Sequence, residues 1–460
     1  MSELVVTNWF GDLVSHPKVI VEARSVEEIR QILTQPDRFP SPVRAVGSNH
    51  STARCGVADG GTLIRMRSMN RILHIGHDTV TAEAGAIYVD IAQELRARNL
   101  QFHVCTEIGN LSVGSAACAG TKDSSMPGEY GQVGSYVTGV KMALPDGRLL
   151  EVTDESDPAL MEKIRCSYGT FGVVYEATFN VRPLTPLAVF HRTFTLQEFV
   201  QALPELRAAG QSLFYYIFPF ANKITVEHRK YNPGAAGPPN RRAWIVRNRG
   251  WAVIGPLLAH AVETYLPGRS LRYHVINGLG AFWRFNLVHR VRSAHTIPMD
   301  QTIRYPPLGG RSRYTFSLFA FPVEDYAGII TEFFEFCRAY YRRTAYRSDL
   351  SYVGYFIRQD RRALLSYSHS GDVMTLDPVS TANPGWKDFL RHYNQFCAER
   401  NGVPLLNQTF GVTREIAQKA YGDRLEVMAR TRQMFDPGGR LLNEYFRDLF
   451  TVQEVTVAAR

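Results

Sequence analysis

The sequence predicts an α+β protein of two domains, and three observations support this prediction. At 460 residues the chain exceeds one ordinary core, and its 45% apolar and 21% charged residues are typical of a folded protein. Short β-type runs alternate with segments of helical spacing in the N-terminal third. A double-proline hinge, Pro183-Leu-Thr-Pro186, then precedes a change in composition, so we place a domain boundary near residue 184.

Local patterns justify the elements in order. Ser25-x-x-Glu28 is typical of a capping box that opens a helix, and Tyr88–Arg98 carries apolar residues at helical spacing. Beyond the hinge, the apolar periodicity predicts strands near residues 213–227, 312–321 and 351–375, and helices over residues 323–341 and 386–401.

Composition excludes several classes of protein. The six cysteines lack CxxC or zinc-ligand spacing, so we expect free buried thiols and no metal site. A leader peptide and an uninterrupted apolar span are both missing from the sequence, which predicts a cytoplasmic protein. The net charge of +9 comes without a zinc finger, helix-turn-helix or RNP signature, so we expect no nucleic-acid partner.

The segment 241–304 concentrates the positive charge. It holds ten arginines, no lysine and only two acidic residues, interleaved with aromatic and aliphatic side chains that include Trp244, Trp251 and Trp283. One interpretation is a peripheral membrane contact, in which arginines bind anionic headgroups and tryptophans lie at the interface. The alternative is a pair of helices with an apolar core face and solvated arginines.

Two loops of small residues are the strongest functional signal. Val43–Ser51 and Gly109–Thr121 each adjoin an apolar, β-branched run, and glycine and serine allow backbone N–H groups to approach a ligand closely. Neither loop has Rossmann spacing. Together they predict one cradle for the pyrophosphate of a dinucleotide.

Further motifs surround these loops in a fixed order. The series resembles the FAD domain of the vanillyl-alcohol-oxidase (VAO) or PCMH-type flavoproteins, and within them the aldonolactone oxidases such as the gulonolactone and arabinonolactone oxidases. The resemblance covers roughly residues 5–185 and, less fully, 400–450. The motifs are Asn8-Trp-Phe-Gly11, Ser25–Glu28, Ile64–Leu73, Val80–Ala86, Leu144–Gly147, Ser167–Val174 and Phe435–Arg447.

This resemblance implies a two-domain VAO/PCMH-type fold. Residues 1–184 would bind FAD, residues 185–405 would form a cap domain with an antiparallel sheet over the substrate, and residues 406–460 would return to the FAD domain. The resemblance also assigns residues to the cofactor. They are Gly47, Ser48, Asn49, His50, Ser51, Gly109, Asn110, Gly114, Ser115, Gly120, Lys122, Gly172, Val173 and Asn443, the last of these brought to the flavin with Tyr445.

His50 occupies the position at which the resembling oxidases attach FAD to an imidazole nitrogen. The resemblance therefore implies a covalent histidyl flavin, whereas the residue type alone equally allows a loop histidine that only forms hydrogen bonds. Asn110 stands where relatives with a second link have cysteine, which disfavours a bicovalent flavin. Lys122 would pair with phosphate or anionic reduced flavin, or else be solvated.

Departures from the family pattern bear on the substrate. Gln408 replaces a lysine that helps to activate the sugar hydroxyl in the lactone oxidases, and glutamine cannot act as a base. A Glu-x-Arg pair is also lost near Tyr355, and Arg358 either replaces its arginine or lies on the surface. We expect catalytic roles for Arg358, Gln408 and Tyr355, with Asp360 and His369 as further candidate bases. The loss of charge predicts a substrate less polar than a free sugar lactone.

These observations predict an FAD-dependent oxidase that removes a hydride from a C–OH group of a small, relatively apolar, lipid-linked or aromatic-linked molecule. Oxygen is the expected electron acceptor. One alternative is a dehydrogenase that uses a quinone or a protein acceptor. Another is a flavin-binding protein that has lost turnover, because two polar elements of the resembling enzymes are missing.

Overall fold

The computed structural model of the protein describes residues 4–305 and 312–451. Helices and strands are mixed along the chain, and most strand pairs are antiparallel, which confirms the predicted α+β class. The first part contains β1 (Val6–Thr7), β2 (Val14–Ser15), β3 (Val19–Glu22), α1 (Val26–Thr34), β4 (Val43–Val46), β5 (Thr62–Arg65), β6 (Ile72–Ile75), β7 (Thr79–Glu83), α2 (Tyr88–Ala97), β8 (Leu100–Phe102), α3 (Val113–Cys118), β9 (Val137–Ala143), β10 (Leu149–Thr153), α4 (Pro158–Ile164) and β11 (Val173–Pro183).

Two sheets organise this part. Strands β3, β5 and β4 form a parallel sheet in that order, and β4 leads directly into the first small-residue loop. Strands β10, β9, β11, β7 and β6 form an antiparallel sheet, to which β8 is added beside β11. The second loop leads into the short helix α3, which packs against β7 and β11. The two loops therefore come from different sheets.

The capping box predicted at α1 is only half formed. The hydroxyl of Ser25 accepts a hydrogen bond from the backbone N–H of Glu28, as an N-cap does. The carboxylate of Glu28 accepts instead from the backbone N–H of Arg24, one residue before the position that a capping box requires.

The middle of the chain forms an eight-stranded antiparallel sheet in the order β15-β12-β14-β13-β18-β19-β17-β21. This confirms the antiparallel sheet expected for the cap. The helices and strands of this middle part are β12 (Leu187–Thr195), α5 (Leu196–Ala208), β13 (Ser212–Phe218), β14 (Lys223–Tyr231), α6 (Arg242–Arg249), α7 (Gly255–Tyr265), α8 (Arg269–Arg290), β15 (Ser293–Thr296), β16 (Thr315–Phe316), β17 (Phe319–Pro322), α9 (Tyr326–Thr344), β18 (Tyr352–Ile357), β19 (Val373–Leu376), β20 (Val379–Ser380), α10 (Trp386–Glu399) and β21 (Val403–Pro404). A π-helical turn over Gly250–Ile254 lies between α6 and α7, and β16 pairs with β20 in a separate two-stranded sheet.

Strand β13 divides its side chains between the two faces of this sheet. Tyr215 and Ile217 belong to a core that is completed by α5, α9 and α10. Phe214 and Tyr216 point to the opposite face and pack in a separate core, which includes Trp251. This alternation follows from the two-residue period of a strand. One face of the sheet is covered by helices, and the other faces the rest of the molecule.

The C-terminal segment packs on the first part of the chain. Its helices are α11 (Arg414–Tyr421), α12 (Asp423–Phe435) and α13 (Glu444–Phe450), and their apolar residues share one core with residues 23–181. The guanidinium of Arg44, just inside β4, donates to the carbonyl of Leu441 at 2.8 Å and to that of Tyr168 at 2.6 Å. Burial lowers the pKa of Arg44. This buried cation therefore ties the two ends of the chain together.

Among the described residues, none of the helices combines the length and the apolar character that crossing a bilayer requires.

Candidate active site

A deep cleft lies between the first part of the chain and the sheet of the middle part. The two small-residue loops and the start of β11 form one wall, and Asn407 and Gln408 border it. The opposite wall is aromatic and carries several ionisable groups. Its side chains are Glu107, Lys122, Trp251, Tyr305, Tyr314, Phe316, Tyr355 and Asp377.

The two predicted loops touch each other. The hydroxyl of Ser48 donates to the carbonyl of Asn110 at 2.6 Å. A Cβ atom on Gly47 would lie 1.8 Å from Oγ of Ser112, so only glycine allows the loops to approach this closely. Asn49 adopts a left-handed conformation (φ 54°), which asparagine tolerates better than most residues. The loops form one continuous surface.

Ten of the residues predicted to bind the cofactor line the cleft. They come from the two loops, the residue that follows the second loop and the start of β11, and these segments lie far apart in the sequence. These ten are Gly47, Ser48, Asn49, His50, Ser51, Gly114, Ser115, Lys122, Gly172 and Val173.

Gly109 and Asn110 do not line the cleft. They instead hold residues 302–305 against the second loop. A Cβ on Gly109 would lie 2.2 Å from the side chain of Thr302. The side-chain amide of Asn110 donates to the carbonyl of Tyr305 and accepts from its N–H. Gly120 likewise packs against Leu405, which a Cβ would meet at 2.1 Å. These three residues shape the walls without facing the ligand.

Asn443 and Tyr445 are also placed outside the cleft, in contrast to the expectation from the family. Asn443 caps α13, where its side chain accepts from the N–H of Phe446, and its amide donates to the carbonyls of Arg54 and Val57. The hydroxyl of Tyr445 donates to the carbonyl of Leu406. Both side chains therefore secure the C-terminal segment.

His50 lines the cleft as a buried, neutral imidazole. Burial and, to a smaller extent, the charge of Arg67 lower its pKa to about 4. Its ring makes an edge contact with Tyr305, with centroids 4.9 Å apart. Its Nδ1 atom is buried and has no hydrogen-bond partner among residues 4–305 and 312–451. A ring nitrogen of this histidine is thus available to a ligand.

Lys122 is enclosed and paired with an acid that the sequence analysis did not identify. Its ammonium lies 3.2 Å from Oδ2 of Asp377 and 3.2 Å from the centre of the Tyr355 ring. Burial raises the pKa of Asp377 to about 6, against the lowering effect of Lys122, and burial lowers the pKa of Lys122. Oδ1 of Asp377 is buried without a partner in the described part of the chain.

Tyr355 joins the cleft to a second buried acid. Its hydroxyl donates to Oε2 of Glu107 at 2.9 Å, and Oε1 of Glu107 forms an ion pair with Arg247 at 3.0 Å. Burial raises the pKa of Tyr355 well above its usual value, and the charge of Glu107 raises it further. Tyr355 therefore stays protonated and cannot act as the base that we expected.

Behind Glu107 the ion pairs continue through the sheet. Glu227 accepts from Arg247, from Arg229 and from His191, and the guanidinium groups hold its pKa well below the usual range despite burial. Arg229 also pairs with Asp123 at 2.8 Å. Since buried charges are stable only when paired, this network fixes the position of Glu107.

The structure separates the other catalytic candidates. Gln408 lines the cleft, whereas Arg358 does not: it is exposed, donates to the carbonyl of Gly128 and lies over the ring of Tyr130. Arg358 thus does not replace the arginine lost from the family pattern. Asp360 is buried beside Ser135 and Gln132, outside the cleft, and His369 is likewise not part of the lining.

The cleft is charged although the charged positions of the family pattern are lost, because its charges come from other segments. Glu107, Lys122 and Asp377 lie on loops and a strand end, not at the positions of the family motif. No local pattern marks these two acids, since Glu107 precedes the second loop and Asp377 lies between two short strands. Comparison of single sequence positions with a family motif cannot identify acids that come from other elements of the fold.

The lining residues suit an elongated ligand that offers polar groups on one side and a flat face on the other. Small loop residues on one wall leave room close to the backbone. Six buried polar atoms of residues that line the cleft lack a hydrogen-bond partner in the described segments. They are Nδ1 of His50, Oε1 of Glu107, Nε1 of Trp251, the hydroxyl of Tyr314, Oδ1 of Asp377 and Oδ1 of Asn407. Since buried polar atoms are generally hydrogen-bonded, a dinucleotide with a ring system fits this cleft.

Comparison with known families agrees with this fit. Residues 17–153, which include the first loop, α3 and β9, match the family described as FAD binding domain. This region is therefore similar to known FAD-binding domains. The FAD-binding domain supplies most of the loop wall of the cleft, and FAD is the dinucleotide that the residues fit.

Relatives and solved structures extend this assignment. The chain is 25% identical to L-gulonolactone oxidase of Scyliorhinus torazame over 48% of its length and 50% of the relative. It is 26% identical to L-gulono-1,4-lactone dehydrogenase of Mycobacterium tuberculosis over 47% of its length and 50% of the relative. The chain thus spans about half the length of these relatives, and the match confirms the resemblance to the aldonolactone oxidases.

A solved structure shows the fold of the whole chain. Cholesterol oxidase from B. sterolicum superimposes with a TM-score of 0.77 at 14% identity, over 98% of this chain and 97% of that chain. The likeness therefore extends beyond the FAD-binding domain to the eight-stranded sheet and the C-terminal helices. The VAO/PCMH-type fold expected from the sequence is confirmed.

Proposed function

We propose that the protein is an FAD-dependent oxidoreductase that oxidises a C–OH group, with oxygen as the electron acceptor. The observation that carries this proposal is Asp377, a buried carboxylate at the cap wall of the cleft. One of its oxygens is on Lys122, and the other has no hydrogen-bond partner in the described part of the chain. A C–OH donor must lose a proton from oxygen and a hydride from carbon. Bound FAD supplies a ring that accepts the hydride.

Asp377 takes the hydroxyl proton. With a pKa of about 6 it is mostly ionised at neutral pH, yet it is more basic than an ordinary aspartate. Lys122 holds Oδ2, so Oδ1 is left for the substrate hydroxyl. Tyr355 and Glu107 remain hydrogen-bonded to each other and position the substrate without exchanging the proton.

The loop wall holds the cofactor. Small residues of the two loops and of β11 contact it, and we propose that His50 is its covalent attachment point. Two observations support this link: the imidazole is neutral, so a nitrogen lone pair is available, and Nδ1 is buried without a partner in the described part of the chain. The family resemblance supports the same assignment.

The substrate carries a sizeable apolar or aromatic portion. Trp251, Tyr305, Tyr314 and Phe316 cover the cap wall of the cleft around Asp377. Aromatic side chains contribute large contact areas and favour flat or hydrocarbon groups. The relatives are named for sugar lactones, so a small lactone is the alternative substrate that the same experiment examines.

Anaerobic reduction of the flavin tests this function. Purified yellow protein is mixed with a panel of aliphatic alcohols, aromatic alcohols and lactones, and loss of flavin absorbance is followed. Asp377→Asn is expected to slow reduction by about 10²- to 10⁴-fold while FAD remains bound. Asp388→Asn, on the exposed side of α10, is the matched control. Reduction of the Asp377 variant at the wild-type rate would exclude Asp377 as the base.

The same samples separate the two alternative functions. On admission of air, an oxidase regains its yellow colour rapidly and releases peroxide, whereas a quinone- or protein-linked dehydrogenase stays reduced. A protein that has lost turnover retains flavin and is reduced by no member of the panel.

We also propose that the helices α7 and α8 contact a membrane surface. Of the 22 residues of α8, only Asn286 and Leu287 are buried, and Leu257, Phe282 and Phe285 are 44%, 64% and 54% exposed. The exposed arginines around them complement anionic headgroups. Trp244 and Trp251, which the sequence offered as interface residues, are both buried and are not part of this proposed membrane contact. Arg247 is likewise paired in the core.

A further inference from the structure

A second cavity lies beside the cleft, between the helices α6 to α8 and the strands β13 and β18. It has a volume of about 430 Å³, which is in the range of small-molecule sites. Its lining is mostly apolar and aromatic. The main contributors are Phe218, Trp251, Ile254, Leu258, Phe282 and Trp283.

Trp251 borders both spaces. It lies in the π-helical turn and makes ring contacts with Tyr216 at 5.7 Å and with Tyr314 at 5.6 Å, on the side of the cleft. The preceding Gly250 is pressed against Trp283, because a Cβ there would lie 2.2 Å from that ring. One indole therefore lies where the candidate active site adjoins the apolar cavity.

Four arginines line the cavity, and none has an acidic partner among the described residues; Arg249 and Arg290 are exposed, whereas Arg284 and Arg347 are not. Arg284 is half-buried and lies over the ring of Phe218 at 4.7 Å. Arg347 is 7% exposed and lies over Phe220 at 4.5 Å; it donates to Tyr273 and Asn277, but its buried Nε has no partner there. A buried cation without a counter-ion is costly, so an anionic ligand would stabilise both.

The order of these groups along the sheet gives the cavity a direction. Trp251 packs on Tyr216, Arg284 on Phe218 and Arg347 on Phe220. Tyr216 and Phe218 are about 7 Å apart along a strand, and Phe220 follows the strand end. The cleft thus lies at one end of an apolar wall, and the unpaired cations lie at the other.

We propose that this cavity binds the hydrocarbon portion of the substrate, and that Arg284 and Arg347 bind a carboxylate or phosphate at its far end. The substrate class is then an anionic amphiphile with a hydroxyl at the end that reaches Asp377. This assignment of the ligand as substrate rests on the proposed oxidation; the binding site itself does not.

Two glycines of α8 offer a matched pair of variants. Gly280 lines the cavity, and a Cβ there would meet only ordinary contacts at 3.6 Å, so a leucine side chain would fill the space beyond. Gly278 is exposed and a Cβ there would meet nothing within 4 Å. Both substitutions raise helix propensity equally, so differences between them report on the cavity.

Displacement of a fluorescent fatty-acid analogue from the flavin-loaded protein measures binding. Dodecanoate and dodecyl phosphate are expected to displace it, each in its own titration, and the tighter of the two identifies the anionic group. Gly280→Leu is expected to weaken probe binding by about tenfold or more, and Gly278→Leu to leave it unchanged. Arg347→Met is expected to weaken the anionic ligands while 1-dodecanol binds as before. Equal binding by the wild type and Gly280→Leu would overturn the proposal.

Flavin reduction by ω-hydroxy acids of increasing chain length separates this inference from the proposed function. A rate that rises with length in the wild type and in Gly278→Leu, but not in Gly280→Leu, supports both. Binding without reduction by any member of the series leaves the cavity assigned and overturns its role in a substrate. If the rate of reduction depends neither on chain length nor on Gly280→Leu, the proposed oxidation stands, and the proposed binding of the substrate in the cavity is overturned.

Discussion

Lys122 and Asp377 form a buried ion pair, with Nζ 3.2 Å from Oδ2 and no more than 5% of either side chain exposed. The two residues come from parts of the sequence 255 positions apart. Lys122 follows the second cofactor loop, and Asp377 follows β19 of the cap sheet. The pair therefore joins the segment after the second loop to the cap sheet, at the point where we propose that the substrate reacts.

Activity is expected to depend on the protonation of Asp377. Its folded pKa is raised to about 6, and only the carboxylate can accept a proton. The ratio kcat/KM should therefore fall as the pH decreases through about 6 and approach a tenfold loss per pH unit below it. A pH profile of flavin reduction measures this. An acid limb near the usual pKa of aspartate would show that another group controls the reaction.

Removal of the Lys122 charge should move this acid limb. Lys122 lowers the pKa of Asp377, so Lys122→Met is expected to raise the apparent pKa by about one to three units, while Lys122→Arg retains a value near that of the wild type. The pH profile of flavin reduction is the measurement. If the limb does not move in the methionine variant, the two residues are not coupled in catalysis.

His50 is expected to keep the flavin on the polypeptide after unfolding. The wild-type protein, precipitated in acid, should remain yellow, and the peptide containing His50 should carry the mass of FAD. His50→Ala should release all of its flavin to the supernatant, whereas His74→Ala, on the exposed strand β6, should not. Complete release from the wild type would show that the cofactor is held without a covalent bond.

Arg247 is expected to be important for stability. It is fully buried and pairs with Glu107 and Glu227. Arg247→Met therefore leaves the buried carboxylate of Glu107 without a cation and removes one of the partners of Glu227, which keeps Arg229, and it should cost about 3–5 kcal/mol. A thermal unfolding scan should show a clear decrease in Tm. Arg242→Ala, an exposed position on the same helix, should change Tm little. Equal effects at the two positions would contradict the proposed support of Glu107.

Membrane contact should be visible in flotation with vesicles. The wild type is expected to float with vesicles of anionic phospholipid at low salt and less at high salt, since exposed arginines contribute a screened attraction. The double variant Leu257→Asp, Phe285→Asp should not float. Met434→Asp, at an apolar residue of α12 that is 77% exposed, should behave as the wild type. A wild type that stays unbound at both salt concentrations removes this proposal.

The cofactor wall was predictable because it depends on local chemistry. Gly47 and Gly114 are needed where backbones approach closely, and such positions leave a pattern in the sequence. The same pattern misplaced Gly109, Gly120 and Asn443, since glycine and asparagine also serve tight packing and helix caps. From sequence alone these two uses of the same residue types are indistinguishable.

The cap wall could not be predicted in the same way. Glu107, Asp377 and Trp251 come from a loop, a strand end and a helical turn that are distant in the sequence, and no local spacing marks them. Lys122 was noticed, but its partner was not, because this ion pair depends on how the segment after the second loop packs against the end of β19. Arg358 was predicted to belong to the site because it lies close to the family position in the sequence. Its side chain does not line the cleft.

The alternation along β13 has a consequence for how this protein can change. Tyr215 and Ile217 support the helices behind the sheet, while Phe214 and Tyr216 face the ion pairs and the indole beside the cleft. Substitutions at every second residue of β13 can therefore change which substrates fit the cleft, while the side chains that support the helices behind the sheet stay the same.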